Sequence, residues 1–370
     1  MLSSEELKRY DRHIRLDEVG VEGQDELKGA KVLVVGAGGL GCPVLQYLTA
    51  AGIGNIGVVD GDTVSVSNLQ RQDLYGDGDV GQPKAEVAVR KLKDQNPFVD
   101  FDIYNEFLSI ENALGIIRRY DIVIDGTDNF STRYLVNDAC LIAKKPLVYG
   151  SIFKFEGQVS VFNYKGGPSY RCLYPELPKA GEVPNCSEVG VLGVLPGFVG
   201  TMMVNECLKM ILEIGEVNSG KVQVFNLLKN IKTSFNVVKK EESFKRVELE
   251  DNYELDCELN EKKQSMKSIS VEELNKKLQS GEDIQLVDVR EPFEFEMCSI
   301  ANSLHIPLNT IPANLSVIKK DIPVVFICHH GMRSASAIHF MEAEGFTNLI
   351  NLTGGIDAWA REVDDEMEIY

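Results

Sequence analysis

Residues 31–60 restrict the fold of this 370-residue chain more than any other stretch. An apolar run, Lys31–Gly36, enters the turn Gly36-Ala37-Gly38-Gly39-Leu40-Gly41, and Leu40–Ala51 then has the length and apolar spacing of a crossover helix. A second apolar run, Asn55–Asp60, follows at once. Strand, turn, helix and strand in that order make a parallel βαβ unit. The turn also carries chemistry. Its glycines let the backbone approach a phosphate, and the helix N-terminus supplies oriented N–H groups. Asp60 stands where a ribose-binding acid belongs. Taken alone, Gly36-x-Gly38-x-x-Gly41 fits NAD as readily as ATP.

The same texture recurs. Asp121–Asp125 reads as a strand ending in Gly126-Thr127-Asp128-Asn129, ahead of a helical Thr132–Ala143. Glu156–Asn163, Lys221–Leu228 and Thr233–Lys239 read as antiparallel strands closing the sheet, around a loop-rich stretch from Gly166 to Gly197. Residues 241–267 are densely charged and read as a solvated interdomain linker. From Ser268 a second α/β pattern begins, with strands at Gln285–Val289, Val324–Ile327 and Leu349–Leu352 and helices at Val271–Leu278 and Ser334–Glu344. The expected organisation is an α/β Rossmann-like nucleotide-binding mixed sheet over 1–240, the linker, and a small α/β domain over 268–370.

Composition excludes several classes. With 38 basic against 56 acidic residues, the net charge of -18 argues against nucleic-acid backbone binding. No apolar stretch reads as long enough to span a bilayer, and the charged start Met1–Tyr10 is not a signal peptide. Eight cysteines without C-x-x-C pairs point away from a disulfide framework and toward a reduced, cytoplasmic protein.

Beyond Asp60 come Ser67-Asn68-Leu69-Gln70-Arg71-Gln72 and Gly81-Gln82-Pro83-Lys84. Singly, Arg71 and Lys84 read as surface cations. A dehydrogenase has no evident use for the pair, whereas ATP cleavage between the α and β phosphates develops negative charge on both fragments. Asp128 could hold a magnesium ion bridging the phosphates. Arg9-Tyr10-Asp11-Arg12-His13, Gly36–Gly41, Ser67–Gln72, Gly81–Lys84 and Thr127-Asp128-Asn129 together resemble the MoeB/ThiF adenylyltransferases that activate sulfur carriers, relatives of ubiquitin-activating enzymes. The resemblance covers about residues 1 to 240. It implies that Gly36, Gly38, Gly39, Gly41, Asp60, Ser67, Asn68, Leu69, Gln70, Arg71, Lys84, Asp128 and Asn129 bind ATP with Mg2+. Arg12 would reach the ATP of a second subunit, which implies a homodimer. The implied substrate is a small ubiquitin-like carrier ending in Gly-Gly. Many members hold zinc with two C-x-x-C pairs. Here Ser169-Tyr170-Arg171-Cys172 keeps one thiol of the first pair, and the stretch after Thr233–Lys239, where the second pair should stand, has no cysteine before Cys257, so no structural zinc is expected. Cys186 lies in the loop region where eukaryotic relatives carry a reactive cysteine, and the residues favour a reactive thiol and an inert one equally. Cys42, Cys140 and Cys207 sit in apolar helical patterns and read as core.

In the C-terminal part, the run Val324–Ile327 leads into Cys328-His329-His330-Gly331-Met332-Arg333-Ser334. A cysteine between a strand and a helix N-terminus can receive several backbone N–H groups, which stabilise a thiolate or persulfide, and Arg333 would add fixed positive charge. Four residues separate Cys328 from Arg333, one fewer than in phosphatases, so the ring suits an added sulfur better than a phosphate. Leu286–Glu291, Cys328–Ser334 and Gly354–Trp359 resemble the signatures of rhodanese domains. Met297–Asn302 departs from the usual Gly-His-Ile-x-Gly-Ala. Asp288 and Arg290 read as structural hydrogen-bonding residues. Joined, the two resemblances imply adenylation of a carrier's Gly-Gly terminus. Sulfur transfer from a Cys328 persulfide would follow, loaded by a donor such as a cysteine desulfurase, with Cys186 releasing the thiocarboxylate. Two other readings stand beside this one: an NAD module fused to an unrelated thiol domain, and a non-catalytic carrier-docking scaffold.

Overall fold

The computed structural model describes residues 1–178, 190–253 and 266–369. The chain divides into two compact units, Met1–Asp256 and Cys257–Tyr370, each with its own sheet. In the first, helices α1 (Ser4–Arg9), α2 (Asp11–Ile14) and α3 (Gly20–Gly29) precede β1 (Lys31–Val35), α4 (Gly41–Ala51) and β2 (Asn55–Val59). Then come α5 (Lys84–Gln95), β3 (Asp100–Tyr104), α6 (Ala113–Ile117), β4 (Ile122–Asp125) and α7 (Phe130–Ala143). Strands β5 (Leu147–Phe153) and β6 (Glu156–Phe162), helices α8 (Tyr170–Leu173) and α9 (Val194–Leu212), and strands β7 (Lys221–Asn226) and β8 (Ile231–Asn236) complete it. The sheet order is β3-β2-β1-β4-β5-β6-β7-β8, parallel as far as β5 and antiparallel beyond.

The strand β1 shows why this sheet forms. Val32 and Val34 feed the core on one face, with Leu45 and Leu48 of α4, while Leu33 and Val35 feed the other, with Leu135, Val136 and Ala139 of α7. A strand apolar on both sides is stable only between two helical layers. Strand order reverses between β1 and β4, and in such sheets ligands bind in the crevice beyond the strand ends at that point.

Three expectations need correction. Helix α9 is 19 residues with a mean hydropathy of 1.2, long and apolar enough to cross a membrane by length and composition, which the sequence reading overlooked. Half of it is buried within the unit, where its fully buried Glu206 accepts from Asn218 N and pairs with Lys209 at 2.8 Å. It has the character of a core helix. The charged stretch after residue 240 is, over 241–253, a strap packed on the first unit rather than a solvated linker. Tyr253 is buried in the core, and its hydroxyl donates to Asp138 Oδ2 at 2.9 Å. Arg171 grips the same carboxylate with two bonds of 2.8 Å and also pairs with Glu250. Burial of these partners, which lie far apart along the chain, holds the strap down. Finally, β3 and β5 are strands that the sequence reading did not mark.

The second unit runs β9 (Ser268–Ile269), α10 (Val271–Gln279), β10 (Gln285–Asp288), α11 (Pro292–Met297), β11 (Leu304–His305), β12 (Val324–Ile327), α12 (Met332–Ala343), β13 (Leu349–Leu352) and α13 (Gly355–Glu362). Its order is β11-β10-β12-β13-β9, all parallel. Asp288 and Arg290, both fully buried, form a bidentate pair, and Arg290 also donates to the carbonyls of Glu294 and Cys298. That is the structural role the sequence suggested.

Candidate active sites

The cleft of the first unit opens beyond the ends of β1, β2, β4 and β5, with a cavity volume of about 150 Å3. Gly36, Gly38 and Gly39 line it, while Gly41 does not; Gly41 begins α4 where a Cβ would lie 1.9 Å from the Gly36 carbonyl. Asp60 accepts from the amides of Ala37 at 2.7 Å and Asp62 at 2.8 Å and so braces the glycine turn. Burial raises its carboxyl above the ordinary value against the pull of those amides and Lys84.

Positive charge reaches the cleft from two directions. Arg71 is delivered by the short 3-10 turn Val66–Asn68 and donates to the Ser67 carbonyl at 3.0 Å. Lys84, buried at the start of α5, pairs with Asp62 at 3.1 Å. Asp128 is exposed at the opposite wall beside Asn129, whose side chain caps α7 by accepting from Thr132 N at 2.8 Å. Ser67, Asn68, Leu69 and Gln70 do not line the cleft: they shape the turn, and Asn68 closes it by accepting from Ser65 N at 3.3 Å. Arg12, exposed on α2, does not line the cleft of its own chain.

Several lining residues escaped the sequence reading, Gln72 and Arg133 among them. Gln72 is buried with its Oε1 unpartnered, an acceptor facing a polar cleft, and its place directly after Arg71 was the available signal. Arg133, on the first turn-and-a-half of α7, donates to the Thr127 carbonyl at 2.9 Å and holds the loop after β4 in place. Beneath that loop, burial raises the Asp125 carboxyl, opposed by Arg133 and by two bonds from Thr127.

Away from the cleft, Cys172 sits where the first zinc pair would stand. Its sulfur accepts from Ser169 N at 3.4 Å and Lys240 N at 3.3 Å. Burial acts to raise this thiol, but the Lys240 amide, Ser169 and Ser243 outweigh it and hold the thiol below its ordinary value. Among the described residues no group of three His, Cys, Asp or Glu side chains could hold a metal. Cys42, Cys140 and Cys207 are buried as expected, and burial pushes Cys42 up to about 12. Cys186 and Cys257 lie outside the described residues.

In the second unit Cys328 follows β12 and is 1% exposed. The Gly331 amide donates to its sulfur at 3.0 Å, and Ser334 Oγ lies 3.3 Å away. Ser334 donates to Asn351 Oδ1 at 2.6 Å, and Asn351 returns a bond to the Gly331 carbonyl at 3.1 Å, which locks the ring. The loop also rests on α13: Ile356 N donates to the Cys328 carbonyl at 2.8 Å, and a Cβ on Gly355 would lie 2.3 Å from that oxygen. Arg333 departs from expectation. Its guanidinium is held by Glu294 of α11 through two bonds of 2.6 Å, so its positive charge is offset by a carboxylate. A sulfur that receives the Gly331 amide at the start of α12 is the arrangement that remains.

Two domain families meet in this geometry. Residues 10–247 match the ThiF family and residues 270–362 the rhodanese-like domain, and the chain belongs to the ThiF family with a rhodanese-like domain at its C-terminal end. The chain is 42% identical to the probable adenylyltransferase/sulfurtransferase MoeZ of Mycobacterium tuberculosis, across all of this chain and 96% of that one. It is 38% identical to the adenylyltransferase and sulfurtransferase MOCS3-1 of Drosophila pseudoobscura pseudoobscura, across all of this chain and 86% of the relative. The sulfur carrier protein adenylyltransferase of Thermus thermophilus is 54% identical over 61% of this chain and 85% of its own length. Among solved structures, E. coli MccB with MccA-N7isoASN superposes with a TM-score of 0.57 at 24% identity, covering 65% of this chain and 73% of that one, a likeness of fold.

Proposed function

We propose that this chain adenylates the C-terminal Gly-Gly of a small ubiquitin-like sulfur carrier and then sulfurates it from Cys328. The observation that carries the reading is the convergence of Arg71, Lys84 and Asp128 on one cleft in a chain that also holds a cradled cysteine. The cleft fits ATP: the glycine turn and the starts of α4 and α7 offer N–H groups to phosphate, and Asp60 lies at the ribose end. With Mg2+ bound to the triphosphate, Asp128 would hold it, and the ion would neutralise charge on the phosphates.

In the first half-reaction a carboxylate oxygen of the carrier attacks the α-phosphorus, and pyrophosphate leaves. Arg71 and Lys84 stabilise the charge that develops on the two fragments. A persulfide on Cys328, supplied by a donor such as a cysteine desulfurase, then attacks the acyl carbonyl. AMP leaves, and an acyl disulfide forms. A second thiol, for which Cys186 is the candidate, attacks the Cys328 sulfur and releases the thiocarboxylate, leaving a disulfide for a cellular thiol to reduce. Carriage on one chain raises the local concentration of sulfur toward millimolar, so the adenylate meets it before water. A homodimer in the cytoplasm, with Arg12 reaching the partner's ATP, completes the reading. The carriers of molybdopterin, thiamine and cysteine synthesis are the candidates.

The test is ATP–pyrophosphate exchange with a Gly-Gly carrier beside the same carrier lacking its last glycine. Exchange confined to the intact tail is expected; none with any such carrier would sink the reading. A Cys186→Ala chain with full thiocarboxylate output would remove Cys186 from the scheme.

A further inference from the structure

Glu294 has no part in the scheme above, yet it makes the strongest contact with the cysteine loop. It sits on α11, 39 residues before Arg333, and its two oxygens meet the two terminal nitrogens of that guanidinium at 2.6 Å. The side chains are 8% and 18% exposed, so solvent screens the pair poorly. One of the same oxygens accepts from Glu291 N at 2.9 Å and so fixes the carboxylate at the start of its helix. Asp357, the carboxylate of α13 nearest the loop, is likewise engaged by Arg361 at 2.9 and 3.0 Å, and lies 3.9 Å from His330 Nδ1. Around Cys328, Arg333 and Arg361 are therefore each matched by an acid. A sulfur anion there meets the Gly331 amide at the start of α12, and the guanidinium of Arg333 is already matched by a carboxylate.

We propose that Glu294 is a specificity-determining residue: by neutralising Arg333 it makes the Cys328 loop reject small dianionic sulfur donors such as thiosulfate and accept thiol persulfides. The inference rests on the sulfur-transfer reading of this domain. Both donors react alike at Cys328. The thiolate attacks the outer sulfur, a Cys328 persulfide forms, and the donor's S–S bond breaks with its electron pair leaving on sulfite or on a thiolate. They differ in charge. Thiosulfate arrives with two negative charges and departs as a dianion, so it needs a cation at the loop that its own desolvation does not outweigh. A persulfide brings one charge and leaves as a thiolate, within the capacity of the Gly331 amide and the N-terminus of α12. A guanidinium already engaged on its two-pronged face cannot offer the bidentate contact that oxyanions prefer.

The experiment uses the full chain as wild type, Glu294→Gln, and Glu294→Gln with Arg333→Gln. Glutamine is isosteric and keeps an oxygen for the Glu291 amide, so the helix start is preserved while the charge is lost. Sulfite release from thiosulfate, with cyanide as acceptor, gives a KM for that donor. The mass gain of Cys328 after exposure to glutathione persulfide gives the rate for the other. The expected result is a thiosulfate KM lowered about tenfold in Glu294→Gln, a matching rise in the thiosulfate-to-persulfide preference, and loss of that gain in the double variant. An unchanged thiosulfate KM in a Glu294→Gln chain that still loads from the persulfide would overturn the proposal alone, as would a gain that survives loss of Arg333. Failure of the wild type to load from either donor would bring down the sulfur-transfer reading along with it.

Discussion

The nucleotide cleft and the cysteine loop occupy equivalent places in their sheets, beyond the ends of parallel strands and ahead of a helix, yet they gather different sets of charges. The cleft keeps Arg71, Lys84, Asp60 and Asp128 in reach of one space. The loop matches Arg333 with Glu294 and offers the sulfur the Gly331 amide. The difference follows from the load. On the proposed function, a triphosphate in the cleft would spread several charges over several ångströms, which calls for side-chain cations at more than one point. A persulfide on Cys328 would be one charge on one atom, met by the Gly331 amide at the start of α12. Similar backbone scaffolds thus serve unlike chemistries through the side chains set around them.

The sharpest way to break this contrast is to remove one sulfur atom. Cys328→Ala should bring thiocarboxylate formation to background while pyrophosphate exchange persists. A parallel fall in exchange would mean that the two sites do not divide the reaction. Next, Lys84→Ala should lower exchange about 10²–10³-fold, the usual cost of one charge-stabilising donor. Sulfur loading of Cys328 by a persulfide should not follow it down, and loading assays on the same preparation check this. A smaller effect is expected on stability. A fragment ending at residue 240 discards Tyr253 and leaves Asp138 short of a partner, so it should unfold about 3–5 kcal/mol more easily than one ending at 256, as for loss of a buried aromatic side chain. Urea denaturation measures the gap, and equal midpoints would show the strap to be dispensable. Least of all, Arg361→Ala should lower stability only slightly at neutral pH, as for other exposed pairs four residues apart on a helix. Arg361 holds the Asp357 carboxyl below its ordinary 3.8. The unfolded chain therefore binds that proton first as pH falls. The contribution is present above 3.8 and disappears as pH drops through the lowered value, so melts of the two chains should converge in acid.

What could be read from the sequence depended on how local the signal was. The unit β1–α4–β2 and the strand before Cys328 announce themselves because each is a doubly buried apolar run beside glycines. Strand β3 does not: Asp-Phe-Asp-Ile-Tyr alternates acids with apolar residues, as suits an edge strand that is half exposed. In β5 a glycine and a serine interrupt the run, and Gly150 is needed there because a Cβ would lie 2.2 Å from Met203 sulfur. Of the expected cleft residues, Gly36, Gly38, Gly39, Asp60, Arg71, Lys84, Asp128 and Asn129 line the space together. Arg12, Gly41 and Ser67 to Gln70 do not, and the last four lie on the turn that aims Arg71, since a tight turn points neighbouring side chains in different directions. Spacing alone cannot separate a residue that faces a cleft from one that presents its neighbour. The pairing of Glu294 with Arg333 and the docking of Tyr253 on Asp138 link residues 39 and 115 apart, and no local pattern encodes either.

The depth of Cys328 has a consequence for handling the protein in the laboratory. At 1% exposure the bare sulfur lies below the surface, whereas an added sulfur extends the chain by about 2.05 Å. On the proposed function, the loaded form carries its reactive atom one S–S bond farther from the backbone than the empty one. A bulky alkylating dye should label the two at very different speeds, so the fraction of molecules carrying cargo becomes readable from the labelling curve alone.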